Sequence, residues 1–227
     1  MPMTKRAIVA GATGLVGEHL TRYLLDDDDF SDVLVVTRRP LEITHHGLHQ
    51  VVTDFNDRAL LEKEVRGDAL FCCLGTTMKK AGSKAAFRRV DLELPLMLGQ
   101  IARDNHVPAY MLLTALGANA RSPVFYNRIK GMVEEAIIDL RFIATLIFRP
   151  SLLLGQRKEK RSFESVGQSV MKRMEGMMVG PLRKYRPIEA EVVAQAMLHF
   201  YKNTGKGLYY VSSGQMNQWK ELNDERK

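Results

Sequence analysis

The sequence predicts a doubly wound α/β fold: a mostly parallel sheet with helices on both faces and a small C-terminal lobe. Three observations lead there. Short apolar runs alternate with longer stretches of helical period. The runs are nearly continuous in apolar residues, as strands covered on both faces require. A glycine-rich turn, Gly11-Ala12-Thr13-Gly14-Leu15-Val16-Gly17, joins the first run to the first helical stretch.

The elements follow in order. Arg6 to Ala10 reads as the first strand, and residues 14–26 as a helix, with Leu15, Val16, Leu20 and Leu24 at helical spacing. The acidic run Asp26 to Asp29 ends that helix. Residues 32–37 and 48–53 are the second and third strands, 59–65 a short helix and 68–74 the fourth strand, which Gly75 stops. A long helix is expected over 84–105, with an interruption around Pro95. Residues 109–114 form the fifth strand, 126–139 a helix and 142–148 the sixth strand, ended near Pro150. Beyond it, residues 156–186 are basic without a clear strand, and 163–178 has helical spacing, with Met171, Met174, Met177 and Met178. A helix over 188–201, a strand over 207–211 and a tail helix around Trp219 complete the chain. One nucleotide-binding domain over 1–227 is expected, with 156–186 and the tail after 207 forming the lobe over its cleft.

The chain has 227 residues, 45% apolar and 26% charged, which suits a globular protein. No apolar run approaches the roughly 18 residues of a membrane span. No secretory pattern opens the sequence, so a cytoplasmic location is expected. The net charge of +7 favours anions in general. The charges are scattered and no nucleic-acid motif accompanies them, so no nucleic-acid partner is expected. Cys72 and Cys73 are adjacent and point to opposite faces of a strand. They read as reduced, buried thiols, and the six histidines show no ligand spacing, so no metal is expected.

The glycine turn carries the first functional signal. Its spacing is GxxGxxG, and it lies directly after a strand and opens a helix. A glycine lets backbone approach a pyrophosphate where a side chain would collide. The helix start offers unpaired N–H groups and the positive end of the dipole. Gly11, Thr13, Gly14, Leu15, Val16 and Gly17 are therefore candidate cofactor contacts. After the second strand come Arg38 and Arg39, where a fold preferring NAD usually carries an acid. Arginine suits a 2′-phosphate, so NADP is the expected cofactor, with Arg38 the leading contact. Asp54 and Phe55 after the third strand are placed to flank adenine. Leu74, Gly75 and Thr76 after the fourth let the cofactor backbone pass.

Tyr126 and Lys130 are four residues apart, on one face of a helix. A tyrosine is a poor base at its reference pKa of about 10, and a neighbouring ammonium depresses that value. Such a pair exchanges a proton with a substrate oxygen while hydride moves to or from a nicotinamide. Pro150, Ser151 and Leu153 end the sixth strand beside the expected crevice.

Taken as a set, GATGLVG at 11–17, FCCLGTT at 71–77, KAG at 80–82 and FRRVD at 87–91 resemble the short-chain dehydrogenase/reductase superfamily in its atypical or extended branch. So do the Tyr126–Lys130 pair, VEE at 133–135 and FRPSLLLGQR at 148–157. Within it, the chain looks more closely like bacterial relatives of a human oxidoreductase-like protein, the Tat-interacting protein 30 group. The resemblance covers roughly residues 5–201. It implies a Rossmann domain, a reduced substrate lobe and NADP binding, and matches Tyr126 and Lys130 to the superfamily's catalytic tyrosine and lysine. The superfamily serine that binds the reacting oxygen has no clear counterpart. Thr114 supplies a hydroxyl, but the matching position is alternatively Ala115, with Ser122 or Asn119 as substitutes. Two functions remain open: an NADPH-dependent reductase of a small carbonyl or alcohol substrate, and a non-catalytic NADP-binding regulatory or scaffold protein with a protein partner. Monomer and homodimer are equally compatible with the sequence.

Overall fold

The computed structural model describes residues 4–155 and 186–224. The basic segment 156–185, with its expected methionine-bearing helix, lies outside the described residues.

Strand β1 (Lys5–Ala10) leads through the glycine turn into α1 (Leu15–Leu25). Then come β2 (Phe30–Thr37), β3 (Leu48–Val52), α2 (Arg58–Glu64) and β4 (Ala69–Cys72). Two short helices, α3 (Met78–Ala81) and α4 (Lys84–Arg88), precede a π-helical turn (Arg89–Glu93) and α5 (Leu94–Asp104). Strand β5 (Ala109–Leu113), helix α6 (Phe125–Asp139) and strand β6 (Ala144–Arg149) follow. The short strands β7 (Leu153–Leu154) and β8 (Ile188–Glu189) pair with each other. Helix α7 (Ala190–Asn203), strand β9 (Gly207–Ser212) and helix α8 (Ser213–Asp224) close the described chain.

The seven-stranded sheet runs β3-β2-β1-β4-β5-β6-β9, every neighbouring pair parallel. It is the doubly wound, Rossmann-like sheet expected, extended at one edge by the C-terminal β9–α8 segment. Period-two geometry explains its two cores. Ala7 and Val9 face α1 and α7 with Leu20, Phe71, Val193 and Met197, whereas Ile8 and Ala10 face the opposite layer with Leu61, Leu70, Leu98 and Ile137. Both layers are fully buried, so alternation is invisible in the sequence: every second residue is apolar on either side.

The expected 84–105 helix is broken earlier than its proline. Pro95 sits in the first turn of α5, where its missing N–H costs little. Within a continuous helix its ring would clash with the carbonyl four residues back, that of Asp91. The chain widens into the π-helical turn there, and this turn carries Asp91 into the interior at 1% exposure. The strand order reverses between β1 and β4, which opens a crevice at the carboxyl ends of the strands.

Candidate functional site

The glycine turn closes on itself at the mouth of that crevice. Gly14 N–H donates to Gly11 O at 2.9 Å. Gly11 has φ +88°, and a Cβ there would lie 2.6 Å from the Cys73 carbonyl group. A Cβ on Gly17 would lie 2.2 Å from Gly11 O, so this glycine lets α1 press against the turn. Gly14 has an ordinary φ of −86° and caps α1 without a side-chain bond to the helix N–H groups. The turn and helix start thus form a backbone cradle for an anion. Leu15, in the first turn, packs beside the residue that follows β7: a Cβ on Gly155 would lie 3.2 Å from its Cδ2.

The other sequence candidates line the same carboxyl edge. Arg38 and Arg39 are exposed, and the Thr37 hydroxyl donates to Arg39 O at 2.8 Å, shaping the turn. Asp54 is exposed, accepting from Asn56 N–H at 2.9 Å and Asn56 Nδ2 at 2.7 Å. These bonds hold its carboxyl below the usual range. Phe55 adopts φ +67° and buries its ring in the core beside α2. The Ser151 hydroxyl donates to Arg186 O and lies 3.0 Å from Ser213 Oγ. Pro150 O accepts from Leu116 N–H at 2.7 Å, and Leu153 packs on the α1 side of the core. A cavity of about 610 Å³ opens beside them, between Arg186, Pro187 and Ser212 and the α8 residues Gln215, Gln218 and Glu221.

Helix α6 supplies the chemistry-bearing face. Gly131 fixes its position: a Cβ there would lie 2.0 Å from Ala120 N, so helix and loop touch backbone to backbone. Tyr126 packs its ring 5.7 Å from Phe87, with Lys130 Nζ 6.0 Å from the Tyr126 ring centre. Lys130 is 5% exposed, and its Nζ lies 2.8 Å from Asp91 Oδ1. The second Asp91 oxygen accepts Thr76 N–H at 2.9 Å. Burial pulls the lysine's proton affinity down, but the Asp91 carboxylate and Tyr126 more than offset it, leaving Lys130 above its ordinary value. Burial pushes the Asp91 carboxyl up despite the lysine and the Thr76 N–H.

Thr114 is drawn elsewhere. Its hydroxyl donates to Glu134 Oε1 at 2.6 Å, with Phe148 O at 3.3 Å. Glu134 in turn accepts two bonds from Arg149, whose guanidinium stacks 4.4 Å from the Tyr210 ring centre. Those Glu134 bonds hold Arg149 above its usual value. Ser122 Oγ accepts Val124 N–H at 3.2 Å and Asn119 Oδ1 accepts Arg121 N–H at 2.8 Å. The structure therefore brings Tyr126 and Lys130 together, and ties Thr114 to a separate polar cluster. Sequence reasoning gave Asp91, Glu134 and Arg149 no role. A usable signal existed for Glu134: it follows Lys130 by four residues and so shares its helix face.

Residues 7–207 match the NAD dependent epimerase/dehydratase family. Protein FMP52, mitochondrial, from Lodderomyces elongisporus is 31% identical over 216 residues, covering 90% of each chain. Protein HTATIP2 of Rattus norvegicus is 31% identical over 207 residues, covering 89% of this chain and 84% of its own. Among solved structures, the Bordetella bronchiseptica enzyme WbmH in complex with NAD+ superposes with a TM-score of 0.70 at 16% identity. The match covers 97% of this chain and 79% of that one.

Two expectations are corrected. The NADP expectation is overturned by the solved neighbours: WbmH, WbmG and MoeE5 are NAD complexes. The misleading signal was the Arg38–Arg39 pair, which stands in an exposed turn after β2. The cytoplasmic expectation is overturned by relatives named as mitochondrial proteins. Lack of a secretory pattern excludes only one address, and mitochondrial segments have a different composition. Among the described residues, no helix is long and apolar enough to cross a membrane.

Proposed function

This chain belongs to the NAD dependent epimerase/dehydratase family, and from that premise we propose that it is an NAD-binding oxidoreductase acting on a small alcohol or carbonyl substrate. The observation that carries this reading is the backbone cradle from Gly11 to Gly17 sharing one edge with the Tyr126–Lys130 pair. The cradle fits a dinucleotide because its close approaches leave no room for side chains and the α1 start lacks a side-chain cap. Gly11, Thr13, Gly14, Leu15, Val16 and Gly17 hold the pyrophosphate, and Leu74, Gly75 and Thr76 border its path. When bound, NAD supplies a hydride acceptor at its nicotinamide ring.

The chain's own groups handle the proton. Tyr126 Oη removes the proton from the substrate hydroxyl as the carbinol carbon gives up hydride, and returns it in the reverse direction. Lys130 stabilises the phenolate and binds the cofactor ribose through its ammonium. A second reading, an NAD-binding protein without rapid turnover, is favoured by one observation. The Thr114 hydroxyl is committed to Glu134, and Ala115 beside it offers none.

Turnover separates the two. An alcohol and carbonyl panel monitored by NADH absorbance is expected to reveal at least one substrate. Tyr126→Phe should then lower turnover at least 100-fold with NAD affinity nearly unchanged, because the ring stays and the transferable proton goes. Undiminished turnover in that variant rejects the tyrosine role. Tight NAD binding without turnover across the panel supports the second reading.

A further inference from the structure

The Lys130 ammonium sits in an enclosed place that a lone lysine would not hold as a charge. Only 6% of its side chain is exposed, and the Asp91 side chain is fully buried. The groups facing Lys130 are Asp91 from the π-helical turn, Tyr126 from its own helix and Cys72 from β4. Asp91 is the group in direct contact, at 2.8 Å, while the Tyr126 ring centre is 6.0 Å away. Asp91 also reaches the crevice edge. Its second oxygen takes the Thr76 N–H, and a Cβ built on Gly75 would lie 3.4 Å from Asp91 Oδ1 and 3.5 Å from Lys130 Nζ. One carboxylate thus joins the π-helical turn, the loop after β4 and α6.

We propose that Asp91 is the positioning residue that keeps Lys130 charged and aimed beneath Gly75, at the edge where the cofactor ribose is to be bound. This rests on the reading of Lys130 as a ribose-binding lysine. Burial without a partner favours the neutral amine, and a neutral amine gives a weaker ribose donor and no field on Tyr126. The pair is enclosed deeply enough for this to matter. An exposed lysine would keep its proton without help.

The test follows the Lys130 side chain by carbon and nitrogen NMR in isotope-labelled protein, its signal assigned by loss in Lys130→Met. In the unmodified protein the ammonium is expected to persist beyond the ordinary lysine value of about 10.4. In Asp91→Asn its proton affinity should fall at least 300-fold, far enough for most of the ammonium to be lost at pH 9. NAD affinity, read by calorimetry, should fall at least fivefold at pH 9 and recover as the pH is lowered and the lysine regains its proton. A residue with a merely structural role would give neither the shift nor the recovery. An unchanged Lys130 titration in Asp91→Asn overturns the proposal. If that variant does not fold, loss of the proton below about pH 10 in the unmodified protein overturns it instead. Should Lys130→Met bind NAD as the unmodified protein does, the ribose role fails, and the NMR titration still decides what Asp91 does.

Discussion

Helix α6 carries two buried charged groups one turn apart, and their surroundings differ. Lys130 pairs with Asp91 at the crevice, in a contact with 6% and 0% side-chain exposure. Glu134 pairs with Arg149 between the ends of β5 and β6, where the glutamate is 3% exposed but the arginine 33%. The first pair is closed on both sides and borders the loop after β4. The second has a wet side, a Thr114 hydroxyl and a Tyr210 ring to share its charge. The comparison teaches that the same chemistry on one helix face meets two surroundings: one pair is enclosed beneath the loop after β4, and the other clamps strands to a helix.

The largest expected effect comes from opening the enclosed pair. Lys130→Met strands Asp91, and breaking such a pair costs about 3–5 kcal/mol. Part of that cost is escaped by protonation. With the lysine gone, the Asp91 carboxyl, already raised by burial, rises further above its unfolded value of about 3.9. A raised folded value contributes stability at low pH and loses it as the pH climbs through that value. Urea unfolding should therefore show a smaller penalty near pH 5 than at pH 8. A pH-independent penalty contradicts the assignment of Asp91 as the stranded charge.

Gly11→Ala should come next, at about 2–3 kcal/mol. It places a Cβ 2.6 Å from the Cys73 backbone at a φ that alanine resists. Thermal unfolding checks it, and a neutral result would mean the turn relaxes freely. Glu134→Gln should cost less, about 1–2 kcal/mol, since the half-wet Arg149 can turn to solvent. Its NAD affinity should stay within about twofold of the unmodified protein. A larger loss of affinity there would erase the distinction between the two pairs.

The smallest effect is a control far from both. Tyr201 packs on Phe30 and Phe71, and burial pushes its phenol up to about 12. Its neutral form stabilises the fold below about pH 10, and that contribution is lost as the pH rises through about 12. Tyr201→Phe should flatten the alkaline decline by under about 1 kcal/mol, with no change near pH 7.

Much of the fold was legible because the central strands are covered on both faces: five of the sheet's seven strands appear as apolar runs that need no tertiary information, while the edge strand β3 mixes His49 and Gln50 into its run. The seventh, β9, also emerged from its β-branched and aromatic residues. What stayed hidden had tertiary causes. Strands β7 and β8 are two residues each, too short to leave a pattern. Pro95 announced a break in the long helix but not its form. Asp91, quoted within FRRVD, gave no local sign of burial, because the turn that buries it answers to the proline four residues on. Of the site, the glycine cradle and the Tyr126–Lys130 spacing could be read directly, since both depend on local geometry. Thr114 could not, because its hydroxyl partner lies 20 residues away on another element. The Arg38–Arg39 pair misled for the opposite reason: a local charge was read as a 2′-phosphate contact.

The account stands on the cradle. The most direct measurement is a calorimetric titration of NAD into the unmodified protein and into Gly14→Val. Gly14 has an ordinary φ, and its Cβ would meet only Gly11 O, at 3.1 Å, so the variant should keep its fold and melting behaviour. The added side chain takes up the room that the pyrophosphate needs. NAD should bind the unmodified protein at one site per chain, and at least 100-fold more weakly to the variant. A folded Gly14→Val protein that binds NAD with unchanged affinity, or an unmodified protein that does not bind it, contradicts the account.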